Sequence, residues 1–292
     1  MKKSTELRML INREGAVVLP GVYDCLSAKL AEEAQHSAIF TTGAGIAASV
    51  LGCPDFGLIT MSEVLSQTKN IVKAVNIPVL ADCDTGYGNP INVYRTVKEF
   101  QDVGVGGLFI EDQIFPKRCG HFEKKEVILM EDMVTKIEAA VDARTDPDLV
   151  IMARTDARAM HGLDAAIDRS NAYVEAGADM IFVEAPRSLD ELEKIPKRVR
   201  APTMVNMVEG GKTPLVTVQE LTAMGFKFIS FSGSAQKIAI TAMRKVFRAL
   251  QRDGCLDSVI SDIASLDERS KLLNLAAFYE MERKYGIKRN LD

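Results

Sequence analysis

The groups most able to do chemistry in this 292-residue chain stand where short apolar runs give way to polar side chains. PVLADCD (78–84) closes on Asp82 and Asp84, and GLFIED (107–112) on Glu111 and Asp112. LVIMART (149–155) carries Arg154 with Asp156 just beyond, DMIFVEA (179–185) carries Glu184, and PTMVNM (202–207) carries Asn206. A plain core would end such runs in turn formers, so five successive polar endings mark a site. In Asp82-Cys83-Asp84 the two-residue period of a strand sends both carboxylates the same way. Glu111 on an adjacent run would bring a third, and three acids in a partly dry pocket repel one another strongly. A hard divalent cation resolves this, and an all-oxygen donor set suits Mg²⁺ or Mn²⁺. Zinc is disfavoured, because the chain has only three histidines and none is close in sequence to these acids. The competing use of the acids is as caps or barrel salt bridges.

Arg154 is suited to clamp a substrate carboxylate, since its planar fork matches that group. Its structural alternative is a partnership with Glu184 or Asp156. Metal, arginine and asparagine together fit a small oxyacid anion better than a nucleotide or a sugar. Between Asp112 and a helix near Glu131 lie about 18 residues, long for a strand-to-helix loop and suited to a lid. Within it, KRCGH places Cys119 among Lys117, Arg118, Gly120 and His121. Neighbouring cations lower a thiol's pKa, so this cysteine can act as acid, base or nucleophile.

The elements that must hold these groups read as alternating strands and helices. Further apolar runs are AVVLP (16–20), SAIFTT (37–42) and FKFISFS (226–232), which bring the strands to eight. Their near-continuous apolar character fits parallel strands covered on both sides. Helix-like segments span 61–75, 92–104, 131–144 and 163–177. Eight strand–helix pairs predict a (β/α)8 TIM barrel, which places working residues at the C-terminal ends of its strands. An open doubly wound sheet would want GxGxxG, and TTGAG (41–45) is too short to serve. Residues 1–292 are expected to form a single barrel domain, with 256–292 as extra C-terminal helices.

Composition excludes several classes. Net charge is −4 and no basic block stands out, which argues against nucleic acid. No apolar run is long enough for a membrane span. The first residues read as a helix rather than a signal peptide. Five cysteines, at 25, 53, 83, 119 and 255, are odd in number and lack CxxC, which fits a reducing cytoplasm.

Taken together, KRCGH (117–121), EDQ (111–113) and DCDTGYGN (82–89) resemble the isocitrate lyase and phosphoenolpyruvate mutase superfamily. LGCPDFGLIT (51–60), MARTDA (152–157), FVEAP (182–186) and NMVEGGKTP (206–214) follow the family order across nearly the whole barrel. The resemblance implies a Mg²⁺ enzyme of 2-oxoacids or their enolates, usually a homotetramer with terminal helices exchanged between paired subunits. It implies Asp84 as direct metal ligand, with Asp55, Asp82 and Glu111 holding metal-bound waters. Arg154 would grip the substrate, and the main chain of Thr42, Gly43 and Ala44 its carboxylate. Asp55, Lys117, Arg118, Gly120, Glu184 and Asn206 would complete the substrate pocket. Cys119 would be the proton donor of a carbon–carbon lyase, supported by Glu111 and His121, with Tyr87 the candidate general base.

Two departures narrow the lyase. Methylisocitrate lyases in this family carry a tyrosine where this chain has Phe40, and a hydroxyl side chain where it has Val208. Valine would leave a third substrate carboxylate short of a hydrogen bond, which costs about 1–3 kcal/mol or more. NMVEGGKTP resembles instead the 2,3-dimethylmalate lyase, petal-death-protein and oxaloacetate-hydrolase group. The expected substrate is a 2-substituted malate. Methylisocitrate cleavage, oxaloacetate hydrolysis, a carboxyphosphonoenolpyruvate-type mutase and a non-catalytic oxoacid-binding barrel are the alternatives.

Overall fold

The computed structural model describes residues 1–120 and 124–286. Eight parallel strands close in sequence order into one barrel. They are β1 (Val17–Val22), β2 (Ile39–Thr41), β3 (Val79–Asp82), β4 (Gly107–Glu111), β5 (Val150–Thr155), β6 (Met180–Val183), β7 (Thr203–Asn206) and β8 (Phe228–Phe231). Each of the eight runs expected as a strand is one. Helices α1 (Lys3–Asn12), α2 (Cys25–Glu33), α3 (Gly43–Val50), α4 (Met61–Ala74) and α5 (Pro90–Asp102) precede β4. After it come α6 (Met130–Ala143), α7 (Arg158–Glu175), α8 (Leu189–Arg198) and α9 (Val218–Met224). The chain ends with α10 (Ser234–Asp253), a 3-10 turn (Asp257–Asp262), α11 (Leu266–Leu272) and α12 (Leu275–Lys284).

The chain divides into two compact units, Met1–Gln236 and Lys237–Asp292. The first contains the whole barrel. The second begins inside α10, a 20-residue helix, and carries the 3-10 turn, α11 and α12. Among the described residues no helix is long and apolar enough to cross a membrane. Among the described residues no disulfide joins any of the five cysteines.

Packing explains why the strands are so apolar. One face of each strand fills the barrel, where Leu19, Phe40, Leu80, Phe109, Met152, Phe182, Met204 and Phe228 form a continuous cluster. The other face meets the helix ring through residues such as Leu108, Ile110, Ile151 and Val205, against Phe100 and Ile137. Neither face touches water, so an alternating pattern has no reason to exist. Helix starts are set by side-chain caps: Thr60 with Glu63 begins α4, Asn89 with Pro90 begins α5, and Thr217 with Glu220 begins α9.

The N-terminal helix does more than precede the barrel. Leu7 and Ile11 of α1 belong to the interior cluster. A methyl on Gly107, at the start of β4, would lie 3.1 Å from Leu7 Cδ2. Arg8 donates to Asp179 Oδ1 (2.7 Å) and to the Leu149 carbonyl (3.2 Å), both at the start of strands. Helix α1 therefore closes the N-terminal mouth.

Candidate active site

The C-terminal mouth is charged where the opposite one is apolar. Asp55, Asp82, Asp84, Glu111, Asp156 and Glu184 are buried there, together with Lys117, Lys125 and Arg154. Strand register sets the arrangement. Glu111 and Arg154 are direct partners across β4 and β5, and Asn206 faces Ser230 across β7 and β8. Hence Glu111 Oε2 lies 3.3 Å from Arg154 Nε. Asn206 accepts from Ser230 Oγ (3.1 Å) and donates to Ser232 Oγ (3.1 Å), which fixes its amide at the mouth.

Arg154 is held on several sides. Its Nε donates to Asp156 Oδ2 (2.9 Å) and its Nη2 to Asp156 Oδ1 (3.2 Å), while Nη2 lies 3.0 Å from Glu184 Oε2. The guanidinium also rests over the Phe182 ring, 5.2 Å from its centroid. Both readings of Arg154 are thus compatible, since the acids that pair with it also aim it. Against the upward push of burial, Arg154 and Lys125 hold Asp156 well below the usual carboxylate range.

The three acids expected to converge on a metal are separated by their partners. Asp82 Oδ2 accepts from the Gly43 amide (2.9 Å) and its Oδ1 from the Asp84 amide (3.1 Å). Glu111 turns to Arg154, and Asp84 Oδ1 lies 2.7 Å from Lys117 Nζ, which is also 2.7 Å from Asp55 Oδ1. Among the described residues no three His, Cys, Asp or Glu side chains close on one ion position. A lysine from the lid, Lys117, stands among the acids as a cation.

That arrangement is also a test of whether a divalent ion fits. Burial raises Glu111 well above the glutamate range, and Glu111 Oε1 has no hydrogen-bond partner among the described residues. Burial pushes Asp84 up to about 6, although the Lys117 ammonium beside it pulls the other way and Asp82 and Asp55 add to the rise. One ammonium is therefore too little positive charge for the cage. The donors are all oxygen, the deficit is positive charge, and an ammonium already serves as a stand-in. A hard divalent ion fits such a set.

The lid loop reaches this centre. Its stem is closed by an antiparallel bridge between Gln113 and Val127, with Ile114 N donating to Glu126 O (2.9 Å). The Cys119 amide donates to Asp55 O (3.1 Å), and a methyl on Gly120 would meet Arg154 Nη2 at 2.4 Å and the Glu184 carboxyl carbon at 2.6 Å. Glycine is required there by contact, not by backbone angle. Lys117 joins the acid cage, and the Arg118 guanidinium lies over the Phe56 ring, 5.6 Å from its centroid. His121 lies outside the described residues.

Helix α3 begins at the mouth, capped by Thr42, whose hydroxyl accepts from Gly45 N (3.4 Å). The Gly43 amide is taken by Asp82 Oδ2. Tyr87 has a positive φ of 61° and a buried hydroxyl with no partner among the described residues. Burial, then Asp84 nearby, raises its pKa well above the tyrosine range, so at neutral pH it holds its proton. A cavity of about 330 Å³ opens beside the lid stem, lined by Tyr87, Leu58, Arg95 and Phe115 among others. It lacks the charged groups of the cage, and the chemistry belongs to the cage.

Lys125 and Asp156 were not among the expected site residues. Lys125 Nζ donates to Asp156 Oδ1 and to Gly120 O, both at 2.5 Å. Asp156 had a sequence signal as the acid just past a strand. Lys125 had none beyond a lysine pair in a polar loop.

The phosphoenolpyruvate phosphomutase family model matches residues 7–251. The chain belongs to the phosphoenolpyruvate mutase/isocitrate lyase superfamily. It is an enzyme of that superfamily, and members of it are close in sequence along their whole length. The 2,3-dimethylmalate lyase of Eubacterium barkeri is 41% identical over 99% of this chain and 100% of its own. The 2-methylisocitrate lyase of Aeropyrum pernix is 42% identical over 95% of this chain and 88% of its own. Among solved structures, oxaloacetate acetylhydrolase with 3,3-difluorooxalacetate has a TM-score of 0.93 at 34% identity, covering 98% of both chains. Phosphonopyruvate hydrolase with oxalate and Mg²⁺ has a TM-score of 0.88 at 31% identity, covering 98% of this chain and 99% of that one. Superfamily members thus bind Mg²⁺ and small oxoacids.

Proposed function

We propose that this superfamily member is a Mg²⁺-dependent carbon–carbon lyase that cleaves a 2-substituted malate, with 2,3-dimethylmalate the best-fitting substrate. One observation carries the reading: the Cys119 loop lies over the acid cage and Arg154, tied to Asp55 by the Cys119 amide. A thiol carried on this loop would serve as proton donor to a substrate gripped by Arg154. Arg154 and the Ala44 amide would hold the end that becomes a 2-oxoacid. The substrate's C2 hydroxyl would pass its proton to a carboxylate of the cage, from which it returns to the Cys119 thiolate after turnover, and its oxygen becomes the oxoacid carbonyl. The C2–C3 bond breaks and its electron pair passes to C3 of the departing acid. Cys119 then gives its proton to that carbanion, which yields pyruvate and propionate from 2,3-dimethylmalate.

Bound Mg²⁺ would stabilise negative charge on the oxoacid oxygens, the electrostatic contribution that usually dominates such reactions. Asp84 would hold it, with Asp55, Asp82 and Glu111 acting through water, and Mn²⁺ is an expected substitute. Tyr87 keeps its proton at neutral pH, so the candidate general base serves better as a donor to the substrate oxygen. Val208, half-buried just after β7, offers no hydroxyl to a third carboxylate and favours a dicarboxylate over methylisocitrate. A homotetramer in the cytoplasm, acting on a free small diacid, completes the proposal.

The deciding experiment is a panel of 2,3-dimethylmalate, 2-methylisocitrate, oxaloacetate and phosphonopyruvate, with 2-oxoacid followed in each. Highest kcat/KM for 2,3-dimethylmalate is expected. Preference for 2-methylisocitrate would overturn the Val208 reading. Oxaloacetate hydrolysis is the second reading, favoured by the likeness to oxaloacetate acetylhydrolase.

A further inference from the structure

Lys125 is a buried cation, 5% exposed, on the returning arm of the lid. Its ammonium makes two bonds that join different parts of the site. One goes to the carbonyl of Gly120 at the lid tip, the other to Oδ1 of Asp156 at the end of β5. The same Asp156 oxygen accepts from Arg154 Nη2, and its partner oxygen accepts from Arg154 Nε. Gly120 also touches Arg154 directly, with no room for a methyl between them. Asp156 is fully buried, and its backbone amide is anchored to Asp112 Oδ1 at 2.9 Å. The carboxylate thus has a fixed base, and its two oxygens are shared between an arginine that faces substrate and a lysine that holds the lid.

We propose that Lys125 is a positioning residue that latches the lid tip to the carboxylate aiming Arg154, so that lid closure and Arg154 orientation are one event. When the lid lifts, Gly120 O leaves Lys125 and the ammonium loses a bond that the buried site has little means to replace. The lifting arm carries Lys125 off Asp156 as well, so Asp156 then draws Arg154 more strongly, away from an incoming carboxylate. When the lid closes, Lys125 takes part of the Asp156 charge and Arg154 is freed for the substrate. The inference rests on the proposed reading only in treating the loop as a lid over a small-diacid site.

The test uses Lys125→Met, which keeps length and removes the ammonium, and Lys125→Arg, which restores charge and donors. Amide hydrogen exchange at Arg118 and Cys119 is read without ligand, and oxalate affinity and steady-state kinetics are read with Mg²⁺. Lys125→Met is expected to speed exchange at both amides by about tenfold or more and to weaken oxalate by a similar factor. It should lower kcat by more than it raises KM, and Lys125→Arg should recover part of each loss. A lower Tm with unchanged tip exchange and unchanged oxalate affinity would reduce Lys125 to scaffold and overturn the proposal. Should Lys125→Met fail to fold, Lys125→Gln, which keeps a neutral donor, is read on the same scale. If wild type ignores oxalate, the small-diacid reading fails, while the exchange rates still decide the latch.

Discussion

The two mouths of this barrel solve opposite problems with the same eight strands. At the N-terminal end α1 lowers Leu7 and Ile11 into the interior, and its polar side binds strand starts through Arg8. Among the described residues the Thr203 hydroxyl, at the start of β7, is buried there without a partner, but no carboxylate is. At the C-terminal end the strands finish in acids that outnumber their cations, and Glu111 Oε1 goes without a partner. Burial that stabilises one end raises Asp84 and Glu111 at the other. The contrast teaches that stability and chemistry are separated along the strand axis, so that either can be damaged alone.

The largest effect should come from Asp84→Ala, which strikes the charged end at its centre. Turnover is expected to fall by more than about 10³-fold and calorimetric Mg²⁺ binding to vanish. Full activity in a chelator would sink the metal reading. Cys119→Ser should cut turnover by about 10²–10⁴-fold while leaving Mg²⁺ and oxalate binding within a small factor of wild type. Unchanged turnover would remove Cys119 from its acid role. Leu7→Ala tests the other mouth. It should cost about 2–5 kcal/mol of stability by chemical denaturation and spare Mg²⁺ affinity, because it leaves a void beneath the site without touching it. Loss of Mg²⁺ binding in a folded Leu7→Ala protein would break the separation of the two ends.

The smallest expected effect is one of pH. Asp84 has a folded pKa of about 6 against an ordinary value of 3.8, so the folded state holds this proton more tightly than the unfolded state. Its contribution to stability is complete below about 3.8 and is lost as pH rises through about 6. Without metal, thermal stability attributable to this group should decline across that window. Mg²⁺ should protect increasingly above it and bind more weakly below it. Asp84→Asn should flatten the metal-free profile, and an unaltered profile would show that Asp84 is not the group responsible.

Much of this was legible in the chain itself. The strands were readable because both their faces are buried, which leaves uninterrupted Val, Ile, Leu and Phe, and barrel topology then located the working ends. Arg154 and Glu111 were readable as a site because strand ends carry polar residues for a reason. The partners of Arg154 were among those the sequence offered; what could not be read was the pairing of the acids with the lid. Sequence shows three acids near one another, but only packing shows that Lys117 has come from the lid to stand between two of them. Lys125 was invisible because its partners, Gly120 O and Asp156, are brought to it by the fold of a loop with no periodicity. The role of α1 was equally hidden, since an amphipathic N-terminal helix looks the same whether it lies on a barrel's side or across its end.

One contact has a further consequence. Gly120 descends onto Arg154 and Glu184 until no methyl would fit beneath it. The closed loop is therefore a calliper, set by the backbone itself rather than by a side chain that could swing aside. Under the proposed reaction, a substrate short enough to pass under the jaw would be shielded from solvent and its carbanion would meet the thiol. One group too many would prop the jaw open and let water reach the intermediate before the proton donor. Substrate length would then govern fidelity as well as rate.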